Sequence, residues 1–176
     1  TEASPDVLIA PVVKERVPLK TLEPQKVMVV NWERTSKKSM PPSIKVGANY
    51  INSRLGYIEA RRNGCDVPLF LNRDGFLSES SGANIGLFVG GSLVTPRLDQ
   101  DILAGITRDT LIHLHRSSGG CVVEKCVTTE DLTYASEIFL CGTAAEVQPV
   151  GMERTTSFGP LTLSLAQEYR KCVTGE

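Results

Sequence analysis

The fold class this sequence predicts is a mixed, largely antiparallel α+β domain, curled into a pseudo-barrel with flanking helices. Three observations predict it. Short runs rich in β-branched residues recur along the chain, two of the gaps between them carry hairpin dipeptides, and helical periodicity is confined to a few separated segments. The helices are too few for the strict strand–helix alternation of a doubly wound sheet. At 176 residues the chain has the size of about one domain and can bury a substantial core.

The strands expected are Val7–Val13, Lys26–Asn31, Val67–Leu71, a short Phe76–Ser78, Ile85–Val89, Leu93–Thr95, Cys121–Glu124, Glu137–Cys141 and Val147–Val150. Asp74-Gly75 and Gly90-Gly91 supply the positive φ angles of tight turns, so each joins its two neighbours as a hairpin. A helix is expected over Ala48–Asn63, where Ile51, Leu55 and Ile58 recur at i, i+4, i+7 as an apolar stripe and Gly64 ends it. A second runs over Thr107–Ser117 and stops at Gly119-Gly120, and a short turn starts at Thr129 or Glu130. Pro160–Val173 is a terminal helix with proline near its first position. Thr1–Lys26 and Thr35–Ser43 are rich in proline and lysine, and the second is an irregular connector just before the first long helix.

Composition excludes several classes. Nineteen Lys+Arg balance twenty Asp+Glu with no basic stripe, which argues against nucleic acid and anionic lipid as partners. Apolar runs of four to six residues are far short of the ~20 that span a bilayer, and no signal peptide is visible, so a cytoplasmic protein is expected. Cys65, Cys121, Cys126, Cys141 and Cys172 show no zinc-like spacing, and His113 and His115 point to different helix faces, so no metal site is expected. The strings of P-loop, dinucleotide-binding, zinc-protease and serine-hydrolase sites are absent.

What remains is a set of small polar clusters at element junctions. Lys45 stands among apolar and small neighbours after Pro41-Pro42, and a lysine in a poorly hydrated pocket can serve as nucleophile, base or Schiff-base amine. Glu79, at the end of a strand, can hold a partner that bears a proton. Gly105-Ile106-Thr107 at a helix start offers N–H groups, a hydroxyl and a dipole end to a phosphate, and Gly142-Thr143-Ala144 makes a similar offer. Singly, each has a plainer reading: a solvated lysine, a turn-associated charge, an N-cap threonine, a turn threonine. Together, an amine, a carboxylate and two phosphate cradles match the needs of pyridoxal 5′-phosphate.

The order Lys-x-x-x-Asn-Tyr from Lys45, Glu-x-x-Gly-x-Asn-Ile from Glu79, Leu-x-Gly-Ile-Thr-Arg-Asp from Leu103 and Gly-Thr-Ala-Ala-Glu-Val-x-Pro-Val from Gly142 resembles the class IV (fold type IV) pyridoxal-phosphate aminotransferases. Asn31–Ser36 running into Ser39–Lys45 is most similar to the branched-chain amino-acid aminotransferases. The resemblance extends from about Trp32 to the C-terminus. It implies the D-amino-acid aminotransferase-like large-domain fold over 32–176, with 1–31 as leading strands and linker. It makes Lys45 the catalytic amine bound to the cofactor, Tyr50 the partner of its phenolic oxygen and Glu79 the partner of its ring nitrogen. Leu103 would pack on the ring, while Gly105, Ile106, Thr107 and Thr143 would hold the phosphate. Thr143 and Ala144 would face the substrate carboxylate.

The activity implied is amino-group exchange between a branched-chain L-amino acid and 2-oxoglutarate, in a homodimer. D-amino-acid transamination, aminodeoxychorismate lysis and a catalytically silent binding or assembly domain are the alternatives. Family members generally carry a smaller N-terminal domain that supplies a phosphate-binding arginine and much of the side-chain pocket, and the expectation is that it lies outside this sequence. An organellar location stays open for the same reason. Gly86 stands where an aromatic residue is common, which predicts a hollow costing about 3–5 kcal/mol unless neighbours refill it. Gly56, inside the first helix, costs about 1 kcal/mol relative to alanine.

Overall fold

The structure, a computed structural model, describes residues 6–152 and 158–175. Eight strands form one sheet: β1 (Gln25–Val29), β2 (Val67–Leu71), β3 (Leu77–Ser80), β4 (Asn84–Val89), β5 (Ser92–Pro96), β6 (Val122–Lys125), β7 (Glu137–Gly142) and β8 (Glu146–Gly151). Their spatial order is β3-β2-β1-β8-β7-β4-β5-β6. The β2–β3, β4–β5, β4–β7 and β7–β8 pairs are antiparallel, and β1–β2, β1–β8 and β5–β6 are parallel. The sheet curls until its ends approach: Leu77 on β3 bridges Val127, just past β6, with its N–H donating to the Val127 carbonyl at 2.7 Å. This is the mixed pseudo-barrel the sequence predicts.

Among the described residues three apolar clusters are buried: alternation along the strands builds two, and the third, Val30, Ala60, Cys65 and Phe70, joins α1 (Asn49–Arg62) to β2. Leu87, Ile138 and Leu140 point into the curl with Val27, Leu69, Leu77, Ile85 and Val94. Their neighbours Phe88, Phe139 and Cys141 point outward, where they pack under α2 (Ile106–Ser117) and α4 (Pro160–Thr174) through Leu111, Ile112, Leu165 and Tyr169. Gly75, Gly90 and Gly91 take φ of 80°, 56° and 81°, as the hairpin readings require. The short helix α3 (Thr129–Tyr134) is fixed by a capping box between Thr128 and Asp131. Among the described residues no helix is long and apolar enough to cross a membrane.

One expected strand is overturned, and the expected first helix forms with an unexpected face buried. Val7–Val13 is not a strand: it runs without sheet pairing, and Val7 and Val13 are 84% and 96% exposed. A β-branched run becomes a strand only where it joins a ladder, and none of the sheet's strand pairings includes this segment. The apolar stripe of α1 (Asn49–Arg62) also faces outward, with Ile51 67% exposed and Leu55 and Ile58 partly so. The buried face is instead Asn49, Ser53, Gly56 and Ala60. Gly56 explains this choice, since a Cβ there would collide with the Phe70 ring of β2, and only small residues let the helix lie that close. The hollow predicted at Gly86 is likewise filled, because the Phe139 ring occupies the space a Cβ would need.

Candidate functional site

One cleft of about 210 Å³ opens where the connector, α1, β3, β4 and the start of α2 converge. Its lining includes Lys45, Tyr50, Glu79, Leu103, Gly105, Ile106, Thr107 and Thr143, residues up to 98 positions apart in the chain. Ala144 is not among them: it is exposed, and its carbonyl accepts from the Lys14 ammonium.

Glu79 is the electrostatic centre. It is 4% exposed, at the inner end of β3. The Arg34 guanidinium donates to its Oε1 at 2.6 Å, while Asn84 Nδ2 and the Leu103 N–H donate to Oε2 at 2.9 and 3.1 Å. Burial pushes the carboxyl up to about 7, and the Arg34 charge and these hydrogen bonds pull the other way. Arg34 is itself buried, donates to Ser53 Oγ at 3.2 Å and packs against the Phe70 ring.

Leu103 leads the chain past Glu79 to Gly105, the N-cap of α2. A Cβ at Gly105 would collide with Asn84 Oδ1, so glycine is what lets the helix start approach the floor of the site. The first N–H groups of a helix lack intrahelical acceptors, and those of Ile106 and Thr107 lie at the cleft. Thr107 is buried with its Oγ1 3.4 Å from the Tyr169 hydroxyl, and it is the second residue of the helix rather than the N-cap. Cys141 also lines the cleft, but burial pushes its thiol up to about 12 and keeps it neutral and unreactive.

Lys45 departs from the sequence expectation of a poorly hydrated pocket. It is exposed, in a stretch of turns between Pro41 and Asn49 at the rim of the cleft, and Ser43, Ile44 and Val46 around it are exposed as well. Tyr50, in the first turn of α1, is 45% exposed. Arg34, Ser53 and Asn84 have no role in the sequence reading. A signal exists for two of them: Arg34 lies in the Asn31–Ser36 run and Asn84 in the Glu-x-x-Gly-x-Asn motif, where each counts only as a matching position.

The residues present fit pyridoxal phosphate on the geometry of this chain. A carboxylate offers about four lone-pair positions, and three donors occupy those of Glu79, which leaves room for one ring N–H. An amine, a phenol and a helix N-terminus that tolerates no Cβ share the same cleft.

Comparison with known proteins gives a consistent result. Residues 2–151 match the amino-transferase class IV family. The branched-chain-amino-acid aminotransferase of Escherichia coli (strain K12) is 37% identical over 154 residues, which cover 85% of this chain and 50% of that protein. The chain thus spans about half the length of the curated relatives it matches. Among solved structures, the branched-chain amino acid aminotransferase from Thermobaculum terrenum in its PLP form superposes with a TM-score of 0.84 at 38% identity, over 88% of this chain and 52% of that one. The T.th. branched-chain enzyme complexed with N-(5′-phosphopyridoxyl)-L-glutamate gives 0.81 at 35%, over 86% and 53%.

Proposed function

The chain belongs to the class IV aminotransferase family, and on that footing we propose that it forms the cofactor-binding half of an enzyme that transfers amino groups between branched-chain L-amino acids and 2-oxoglutarate. One observation carries the reading: Lys45, Tyr50, Glu79, the start of α2 and Thr143 line a single cleft. The names of the relatives support the branched-chain substrate, and the phosphopyridoxyl-glutamate complex of the T.th. enzyme supports the glutamate/2-oxoglutarate pair. We assign residues 32–176 to the cofactor-binding domain.

Lys45 would bind the cofactor, Tyr50 would donate to its phenolic oxygen, and Glu79 would hold its ring N–H. Leu103 would pack on the ring, and the N–H groups of Ile106 and Thr107 with the Thr143 hydroxyl would hold its phosphate, with Gly105, whose own N–H donates to the Leu103 carbonyl at 2.8 Å, giving it room to approach. When bound, pyridoxal phosphate supplies an aldehyde that joins the amino nitrogen and a protonated ring that takes up the electron pair left as the Cα proton departs. Glu79 would sustain that ring charge, since its buried carboxylate would accept the N–H with little competition from solvent. Lys45 Nζ would take the proton from the substrate Cα as general base and then, as general acid, deliver it to the carbon that carried the cofactor's aldehyde. The backbone at Thr143, the member of the Thr143-Ala144 pair that lines the cleft, would face the substrate carboxylate.

A homodimer is part of the proposal. Ile51, Leu55 and Ile58 on the outward face of α1 are exposed, as are Ile44 and Val46 at the cleft rim, and a second copy would cover them.

The test is direct. Protein mixed with pyridoxal phosphate develops a visible band, borohydride fixes a phosphopyridoxyl group onto Lys45, and Lys45→Ala abolishes both. Leucine or valine then transfers its amino group to 2-oxoglutarate. Transfer from D-alanine in preference to leucine would overturn the substrate assignment, and a band that no amino acid bleaches would overturn the enzymatic one.

A further inference from the structure

We propose that Asn49 is a positioning residue that braces the connector and thereby aims Lys45 into the cleft; the purpose of the brace rests on reading Lys45 as the cofactor-binding amine. The stretch that carries Lys45 has no strand or helix of its own. Its own backbone closes only short turns: the Ile44 N–H donates to the Pro41 carbonyl at 3.0 Å and the Val46 N–H to the Ile44 carbonyl at 2.9 Å. Among the described residues the Lys45 ammonium makes no hydrogen bond, so nothing beyond its own backbone fixes its direction.

Asn49 supplies the missing constraint. It is 5% exposed, at the first position of α1, and lines the same cleft. Its Nδ2 donates to both the Pro41 carbonyl, at 3.2 Å, and the Ile44 carbonyl, at 3.0 Å. These are the two carbonyls that the turns already use, so a single buried amide ties both turns to the helix end. Its own N–H closes the loop by donating to the Val46 carbonyl at 3.1 Å. Lys45 sits between the two tied points and the helix, with freedom left only in its side chain.

The residue type follows from this geometry. Two donors on one short stem are needed against two acceptors; serine or threonine offers one donor, aspartate would set an anion against two carbonyl oxygens, and glutamine is one methylene too long. The inward orientation is available because α1 buries its small and polar face, so the asparagine lies under the connector while the isoleucines face out.

The experiment compares wild type with Asn49→Ala and Asn49→Asp. Two rates are read by mass spectrometry: tryptic cleavage of the Lys45–Val46 bond in the native protein, and borohydride-fixed phosphopyridoxyl at Lys45, with the other lysines as internal standards. The expected result is at least tenfold faster cleavage at Lys45 and at least tenfold slower modification of it in both variants, with the other lysines unchanged. A merely structural loss would instead speed cleavage at every lysine. Wild-type rates at Lys45 in Asn49→Ala overturn the proposal. An unmodified Lys45 in wild type sinks the functional reading, and the brace's purpose with it, whereas equal modification of wild type and variant sinks the brace alone. Should neither variant fold, hydrogen exchange of the Asn49 side-chain amide in wild type decides: at least tenfold protection relative to the denatured chain is expected, and free exchange overturns the assignment.

Discussion

Arg34 and Glu79 form an ion pair at 2.6 Å with both side chains about 95% out of solvent, and it forms the floor of the cleft. Breaking a buried pair from one side is costly because the remaining charge is stranded. Arg34→Met is therefore expected to lower the unfolding free energy by about 3–5 kcal/mol in urea titrations. Arg34→Lys should recover only part of this, since an ammonium cannot reproduce the planar fork that reaches both Glu79 and Ser53.

The Glu79 carboxyl also ties stability to pH. Its value in the fold is about 7 against an ordinary 4.5, so within that window the folded state keeps a proton that the unfolded chain has released. Its contribution is complete below pH 4.5 and is lost as the pH rises through about 7, with a total of about 3 kcal/mol. Urea unfolding of wild type and Glu79→Gln at both ends of the window checks this. The wild type should lose more stability with rising pH than the variant, and parallel curves would show the sign or the group to be wrong.

Gly105→Ala tests the close approach of α2 to the floor. The added methyl would displace Asn84, which donates to both Glu79 and the Leu103 carbonyl. Unsatisfied buried groups cost about 1–3 kcal/mol. Pyridoxal phosphate affinity, followed by absorbance, is expected to fall at least tenfold, whereas Gly47→Ala, which meets open space, should leave it unchanged.

The reversed polarity of α1 predicts an inverted mutational pattern. Ile51→Lys should change the stability of the isolated chain by no more than about 0.5 kcal/mol, as for other surface positions. Ala60→Leu, at a position with no exposed surface, should cost about 1–3 kcal/mol through overpacking. Thermal melts at low protein concentration separate the two. At high concentration Ile51→Lys should shift sedimentation toward the single chain if a second copy covers this face.

Much of the fold is legible in the local pattern. The β2 bounds, the Gly90-Gly91 hairpin and the start of α4 at Pro160 match their readings because a short apolar run, positive φ and a fixed proline φ are properties of neighbouring residues. The readings that failed concern partners. Val7–Val13 has strand composition but joins no ladder, and Ile51, Leu55 and Ile58 have helical spacing on a helix whose close contact is made by Gly56 and Ala60.

The chemistry divides in the same way. Amine, carboxylate and helix-start glycine announce themselves by residue type and spacing, which is enough to name a family and the groups it needs. Which side chains hold those groups in place is a matter of distance between remote segments: Arg34 reaches Glu79 across 45 residues, and Leu103 across 24. No periodicity encodes those separations, because the energy of a buried charge depends on everything that surrounds it, and the surroundings exist only once the sheet has curled.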